Sequence, residues 1–177
     1  MKRLAATIGL ALVMSALCWS GAGCSTRNVD LDDADTRQMV ALLMPQQIRI
    51  VEAFTGFKSF DEDDVPDGIE LLLQPVDSFG DSVKIAGVVR VELYAFLQAS
   101  GNEKGDRVCA PWDVPLLTED DQERYWNKIT GMYEVELELP AGIRPTGSKY
   151  VLEVTYNTPL TTHMFDECVL ELPAAAR

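Results

Sequence analysis

The chain has little positive charge, almost no histidine and few long apolar runs. Only 15 Lys and Arg stand against 28 Asp and Glu in 177 residues, a formal net charge of −13. Such a surface repels nucleic acid and anionic headgroups, so no nucleic-acid partner is expected. Histidine occurs once, as His163 in "TPLTTHMF". Imidazole catalysis needs a nucleophile and an orienting acid beside the ring. No nucleophile motif accompanies His163, so an exposed loop position and no enzyme are expected. Phosphate-cradling glycine loops and dinucleotide fingerprints are absent. The four cysteines, Cys18, Cys24, Cys109 and Cys168, form no Cys-x-x-Cys pair and meet no spaced histidine pair. A zinc site is therefore not expected.

The one long apolar run is "LAATIGLALVMSALCW", residues 4–19, behind the basic start Met1-Lys2-Arg3. Its 16 residues fall short of the ~20 that a bilayer-spanning helix needs. Small and polar residues, "SGAGC", follow it. A basic start, an apolar middle and a small-residue exit define a secretory signal peptide over residues 1–23. The exit Gly21-Ala22-Gly23-Cys24 resembles the lipobox of bacterial lipoproteins. That resemblance implies a diacylglycerol on the Cys24 thiol and cleavage just before it. Leu17 is too bulky to make Cys18 the site. Ser25 rather than Asp after the cysteine resembles lipoproteins sent to the outer membrane. Ordinary cleavage after Gly23 remains the alternative, and the product would then be periplasmic or secreted.

Cutting before Cys24 leaves 154 residues, enough for one domain with a workable core. It also removes Lys2 and Arg3, so the formal charge becomes −15. With Cys24 acylated, Cys109 and Cys168 remain in an oxidising compartment. They are expected to form a bridge between strands, or else to stay as two buried thiols.

Residues 24–45 read as a lipidated N-terminus and tether, polar and acidic in "STRNVDLDDAD". Within it, "TRQMVALLM" (36–44) allows one short amphipathic helix ended by Pro45. Residues 46–173 read as strands separated by turns. The strands are "QIRIVEAF" (47–54), "IELLLQPV" (69–76), "VKIAGVVRVELYAFLQ" (83–98), "RVCAPW" (107–112), "MYEVELELP" (132–140), "KYVLEVTYNT" (149–158) and "FDECVLEL" (165–172). In residues 132–140, Tyr133, Val135, Leu137 and Leu139 alternate with Glu134, Glu136 and Glu138, the pattern of a strand with one wet face. Thr118 to Asp121 outlines a capping box for a short helix. Residues 174–177 form a tail. The fold class is mainly β: an antiparallel β-sandwich of about seven strands with one or two short helices. "GSKYVLEVTY" resembles the late strand of immunoglobulin-like, fibronectin-like and transthyretin-like sandwiches. That resemblance implies that Tyr150 hydrogen-bonds across a corner.

Two groups of residues carry candidate binding chemistry. Asp61, Asp63, Asp67 and Glu70 supply hard oxygens in "DEDDVPDGIE", with Gly68 to bend the turn, as a calcium loop would. The spacing differs from that of an EF-hand, and an open acidic connection is the plainer expectation. Trp112, Tyr125 and Trp126, with Tyr133 nearby, offer an aromatic face for a glycan or a protein partner, or else core packing. Together these features describe a lipid-anchored protein of the bacterial cell envelope, a non-catalytic structural or interaction module. Its partners are the membrane, through its lipid, and an envelope protein or glycan. The alternatives are a calcium- or carbohydrate-binding module, or a hydrolase with an unrecognised site. Calcium is the one cofactor considered.

Overall fold

A computed structural model describes residues 32–61, 65–98, 103–158 and 163–173. The expected signal peptide and lipidation site, with Cys18 and Cys24, and the calcium candidate Asp63 lie outside the described residues. The described part of the first of two units, 32–36, opens helix α1 (Ala34–Leu43). There the Asp33 carboxylate accepts the Thr36 N–H at 2.9 Å, a side-chain cap on free amides. The second unit, Arg37–Arg177, holds the strands.

Ten strands are seen among the described residues, in two antiparallel sheets. One sheet contains β1 (Gln47–Ile50), β2 (Gly56–Lys58), β3 (Gly68–Val76), β7 (Trp126–Asn127) and β8 (Met132–Glu138). The other contains β4 (Gly87–Phe96), β5 (Lys104–Arg107), β6 (Trp112–Leu116), β9 (Lys149–Asn157) and β10 (Met164–Glu171). β1 and β2 follow each other along the same edge of β3. β5 and β6 do the same along β4. Counted as lines, with the two-residue β7 set aside, the sandwich has three on four: β1/β2-β3-β8 against β10-β9-β4-β5/β6.

Both interruptions have local causes. Residues 47–54 do not run as one strand; the ladder leaves β3 after Ile50 in a 3-10 turn, Glu52–Phe54. Thr55 repairs the gap, because its buried hydroxyl accepts the Leu72 N–H at 3.0 Å. The line β5/β6 breaks at 108–111, where Pro111 has no N–H to offer the ladder.

Alternation builds the core. Tyr133, Val135 and Leu137 of β8 face Tyr150, Leu152, Val154 and Tyr156 of β9 within one buried cluster. One bond pins each lateral edge across the sheets. On one side the Ile50 N–H donates to Asp166 Oδ2 at 2.7 Å; on the other, Trp112 Nε1–H donates to the Glu138 carbonyl at 2.8 Å. Asp166 thereby occupies β-edge groups that would otherwise invite another strand. Tyr150 Oη accepts the Gly147 N–H at 2.7 Å, three residues upstream.

The second helix, α2 (Glu119–Tyr125), has both bonds of the capping box: Thr118 accepts from the Asp121 N–H, and Asp121 accepts from the Thr118 N–H. That Thr118 N–H holds the Asp121 carboxyl below its ordinary range. Helix α2 is locked to the core through Tyr133, which is fully buried. Its hydroxyl accepts the Ile85 N–H at 2.9 Å and donates to Gln122 Oε1 at 2.8 Å. Gln122 Nε2 in turn donates to the carbonyls of Ile85 (2.8 Å) and Leu116 (3.1 Å).

Tyr133→Phe strands the Ile85 amide and the Gln122 oxygen, and unsatisfied buried groups cost about 1–3 kcal/mol. Urea unfolding is expected to register that loss. Tyr150→Phe, which frees one partner nearer the surface, is expected to cost less.

Candidate binding groove

The outward residues of β8 are Glu134, Glu136 and Glu138, and β3 sets Glu70 directly opposite Glu136. Like charges in that position repel. Two contacts offset the repulsion: Lys58 Nζ lies 2.8 Å from Glu70, and Asn127 Nδ2–H donates to Glu134 at 2.7 Å. Around this acidic floor stand Trp112 from β6 and Arg124 and Tyr125 from α2, enclosing a groove of about 640 Å³. Trp112 is fixed by its indole bond to Glu138. The Arg124 guanidinium lies 5.9 Å from the centre of the Tyr125 ring.

Of the three aromatics singled out in the sequence, Trp112 and Tyr125 share this groove. Trp126 packs edge-on against Tyr133 instead, with ring centres 4.9 Å apart, and Lys84 Nζ sits 5.5 Å from its own ring. Arg124 and the glutamate row were missed as binding residues. The strict alternation of 132–138 already displayed that row. The pairing that brings Trp112 and α2 over it spans distant parts of the chain.

Asp61 and Asp67, the described acids of the loop, make contacts within it. Asp61 accepts from the Ser59 hydroxyl at 3.0 Å, and Asp67 Oδ1 accepts the Phe60 N–H at 2.8 Å. Glu70 faces the groove and pairs with Lys58. Gly68 is needed for packing, because a Cβ there would meet the Phe60 ring at 2.2 Å and the Leu137 carbonyl at 2.7 Å. Among the described residues, no three His, Cys, Asp or Glu gather to hold a metal ion.

The expected bridge between Cys109 and Cys168 is corrected: both cysteines are free. Cys168 on β10 pairs with Leu152 of β9, which pairs with Leu93 of β4. Cys109 lies beyond Leu93, next to Val108, whose N–H donates to the Leu93 carbonyl at 2.8 Å. Three strand spacings of ~4.8 Å separate the two, about twice the usual span of a disulfide. Burial pushes the Cys168 thiol up to about 12, helped by the charges of Glu52 and Asp166. Burial also raises Cys109, against the pull of Arg107. His163 Nδ1 contacts Asn157 Oδ1 at 2.6 Å on the exposed side of the hairpin.

The groove can accept hydrogen bonds in a row, stack a ring or an aliphatic stem, and donate from one guanidinium. These functions suit ligands that are cationic or rich in hydroxyls. No protein-family model matches the chain, and neither does any curated protein or solved structure.

Two outcomes test the sulfur assignment. Unreduced, denatured protein is expected to take alkyl groups at both Cys109 and Cys168, read by peptide mass. Stability is also expected to fall in alkaline solution. The folded state keeps the Cys168 proton up to about pH 12, whereas an unfolded thiol sheds it near the ordinary value of 9.0. This contribution is complete below pH 9 and is lost as the pH climbs towards 12. In urea unfolding, Cys168→Ala is expected to make the decline shallower.

Proposed function

We propose that this chain is a lipid-anchored protein of the bacterial cell envelope, held by an acyl group on Cys24 and destined for the outer membrane by Ser25, and that it is a non-catalytic structural or interaction module. The single observation that carries the binding half is the groove in which Trp112 and Tyr125 wall a floor of Glu70, Glu134, Glu136 and Glu138. The anchoring half rests on the signal peptide and on Gly21-Ala22-Gly23-Cys24.

A basic segment of another envelope protein fits this groove best. Carboxylates along the strand meet Lys or Arg heads, and the two aromatic faces take their stems. The charge of the whole chain steers the same class of partner. A glycan is the second reading, favoured by the paired Trp and Tyr walls.

Both halves have direct tests. Mass spectrometry of the mature N-terminal peptide is expected to find diacylglycerol on Cys24; a bare thiol there removes the anchor. For the groove, a fluorescent lysine-rich peptide is expected to bind and to weaken by about tenfold with Glu136→Gln plus Glu138→Gln, and again as salt rises. Trp112→Ala is expected to weaken it too, while Trp126→Phe is not. A soluble glycan that binds in a salt-independent way, lost with Trp112→Ala, would select the second reading.

A further inference from the structure

The chain enters the sandwich at one end. There β1 opens at Gln47 opposite Val76, β8 begins at Met132, and β6 closes at Leu116 opposite Gly87. Met44, Ile85, Leu116 and Lys128 surround one apolar groove of about 540 Å³, which brings these ends of both sheets together. Three separate turns at this end each hold a large apolar side chain out in solvent.

The first turn is 77–81. Asp77 Oδ1 accepts the N–H of Phe79 at 2.8 Å and of Asp81 at 3.0 Å, Gly80 supplies φ +88°, and Phe79 is 74% exposed. The second repeats the design. Asn127 Oδ1 accepts the N–H of Ile129 at 2.8 Å and of Thr130 at 3.2 Å, Gly131 supplies φ +67°, and Ile129 is 95% exposed. The third is Leu117, just before the Thr118 cap and 65% exposed. A residue in that position usually packs on the fourth residue of its helix. Here that residue is Gln122, whose amide is committed to Ile85 and Leu116. Helix α1, which ends next to Met44 at this groove, carries Met39, Leu42 and Leu43 exposed and spaced as one helical stripe. Single exposed apolar residues are ordinary, and Phe54 and Val169 are examples on the edges. Several on hydrogen-bonded turns around one end have the character of an interaction surface.

We infer that this end lies against the lipid surface, with Phe79, Leu117 and Ile129 dipping into the headgroup boundary and the stripe of α1 beside them. The inference rests on the proposed anchor at Cys24. Nine residues separate Cys24 from α1. So short a chain reaches at most ~30 Å and keeps this end at high effective concentration near the bilayer. Separate tips suit a soft fluid better than a rigid partner. Lys84 and Lys128 beside them can extend to phosphates. Asp77, Asp81 and Glu119 make zwitterionic lipid the fitting surface.

The test places an environment-sensitive fluorophore at Ser78→Cys or Lys128→Cys in the full chain, on a Cys109→Ala background. Ala141→Cys in the 139–148 connection at the opposite end is the control. In phosphatidylcholine vesicles the first two labels are expected to brighten about threefold and the control to stay unchanged. Phe79→Ser with Leu117→Ser and Ile129→Ser is expected to abolish the brightening while flotation with the vesicles persists. Flotation with dark labels overturns the inference and leaves the anchor standing. Failure to float counts against the anchor instead; coupling Cys24 to a maleimide lipid then still reads the tips. Brightening of the Cys24→Ser chain without lipid, growing with protein concentration, overturns the inference in favour of a second copy of this chain.

Discussion

The closed hydrogen-bond knot at Tyr133 is the constraint from which much of the molecule's arrangement follows. One phenol, one amide side chain and two backbone carbonyls join four parts of the chain: β8, the crossover at Ile85, the end of β6 and α2. Ile85 lies 48 residues from Tyr133 and 37 from Gln122, so the knot closes over long stretches of chain. Each polar atom in the knot has a partner, so burial here costs little and fixes a unique geometry. With α2 fixed, Arg124 and Tyr125 stand above the glutamates. With the end of β6 fixed, Leu117 has nowhere inward to go.

Strand β8 does two jobs with one alternation. Its inward Tyr, Val and Leu supply the core, and its outward Glu residues form the groove floor. A one-residue slip in register would exchange the two sets and bury three carboxylates. The core therefore holds the charge row in place. Lys58 pairs with Glu70 and its charge also acts on Glu136 and Glu134, while Asn127 bonds Glu134. A cationic partner in the groove would relieve the repulsion that remains along the row.

Much of the fold could be read in the sequence because alternation and capping are local. The β8 and β9 faces, the Thr118 capping box and the Tyr150 bond all follow from residues within ten of one another. The count of about seven strands matches the seven lines, while ten strands appear because two lines are interrupted and the two-residue β7 is added. Those interruptions depend on a hydroxyl at Thr55 and a missing amide at Pro111, which pattern alone does not place. The bridge expected between Cys109 and Cys168 failed for a related reason. Parity counts cysteines but carries no distance, and two strands, β9 and β4, lie between these two. Of the groove, the floor was legible as a strand face, and two of its aromatics as a cluster. Trp126 misled because adjacent residues at the end of a helix point to different sides, one to the groove and one to Tyr133.

The groove and the apolar tips lie on different parts of the molecule, and that separation constrains how both can work. The groove runs along β3 and β8 on the outer flank of a sheet, whereas the tips surround the end where the strands start or stop. A sandwich standing on its tips directs its strands away from the bilayer. Its flank, with Trp112 and Tyr125, would then face sideways into the aqueous space, with Phe60 and Asp67 at the far end beside Gly68. Charge follows the same division. In that orientation the row of carboxylates would be kept off the lipid, where anionic headgroups would oppose it, and would face the solution, where a basic segment could approach. An acyl chain alone would leave the domain free to tumble. Under the proposed anchoring, the hydrogen-bonded turns at 77–81 and 127–131 would give it an orientation, and that orientation would make the lateral groove accessible to a neighbour in the same membrane.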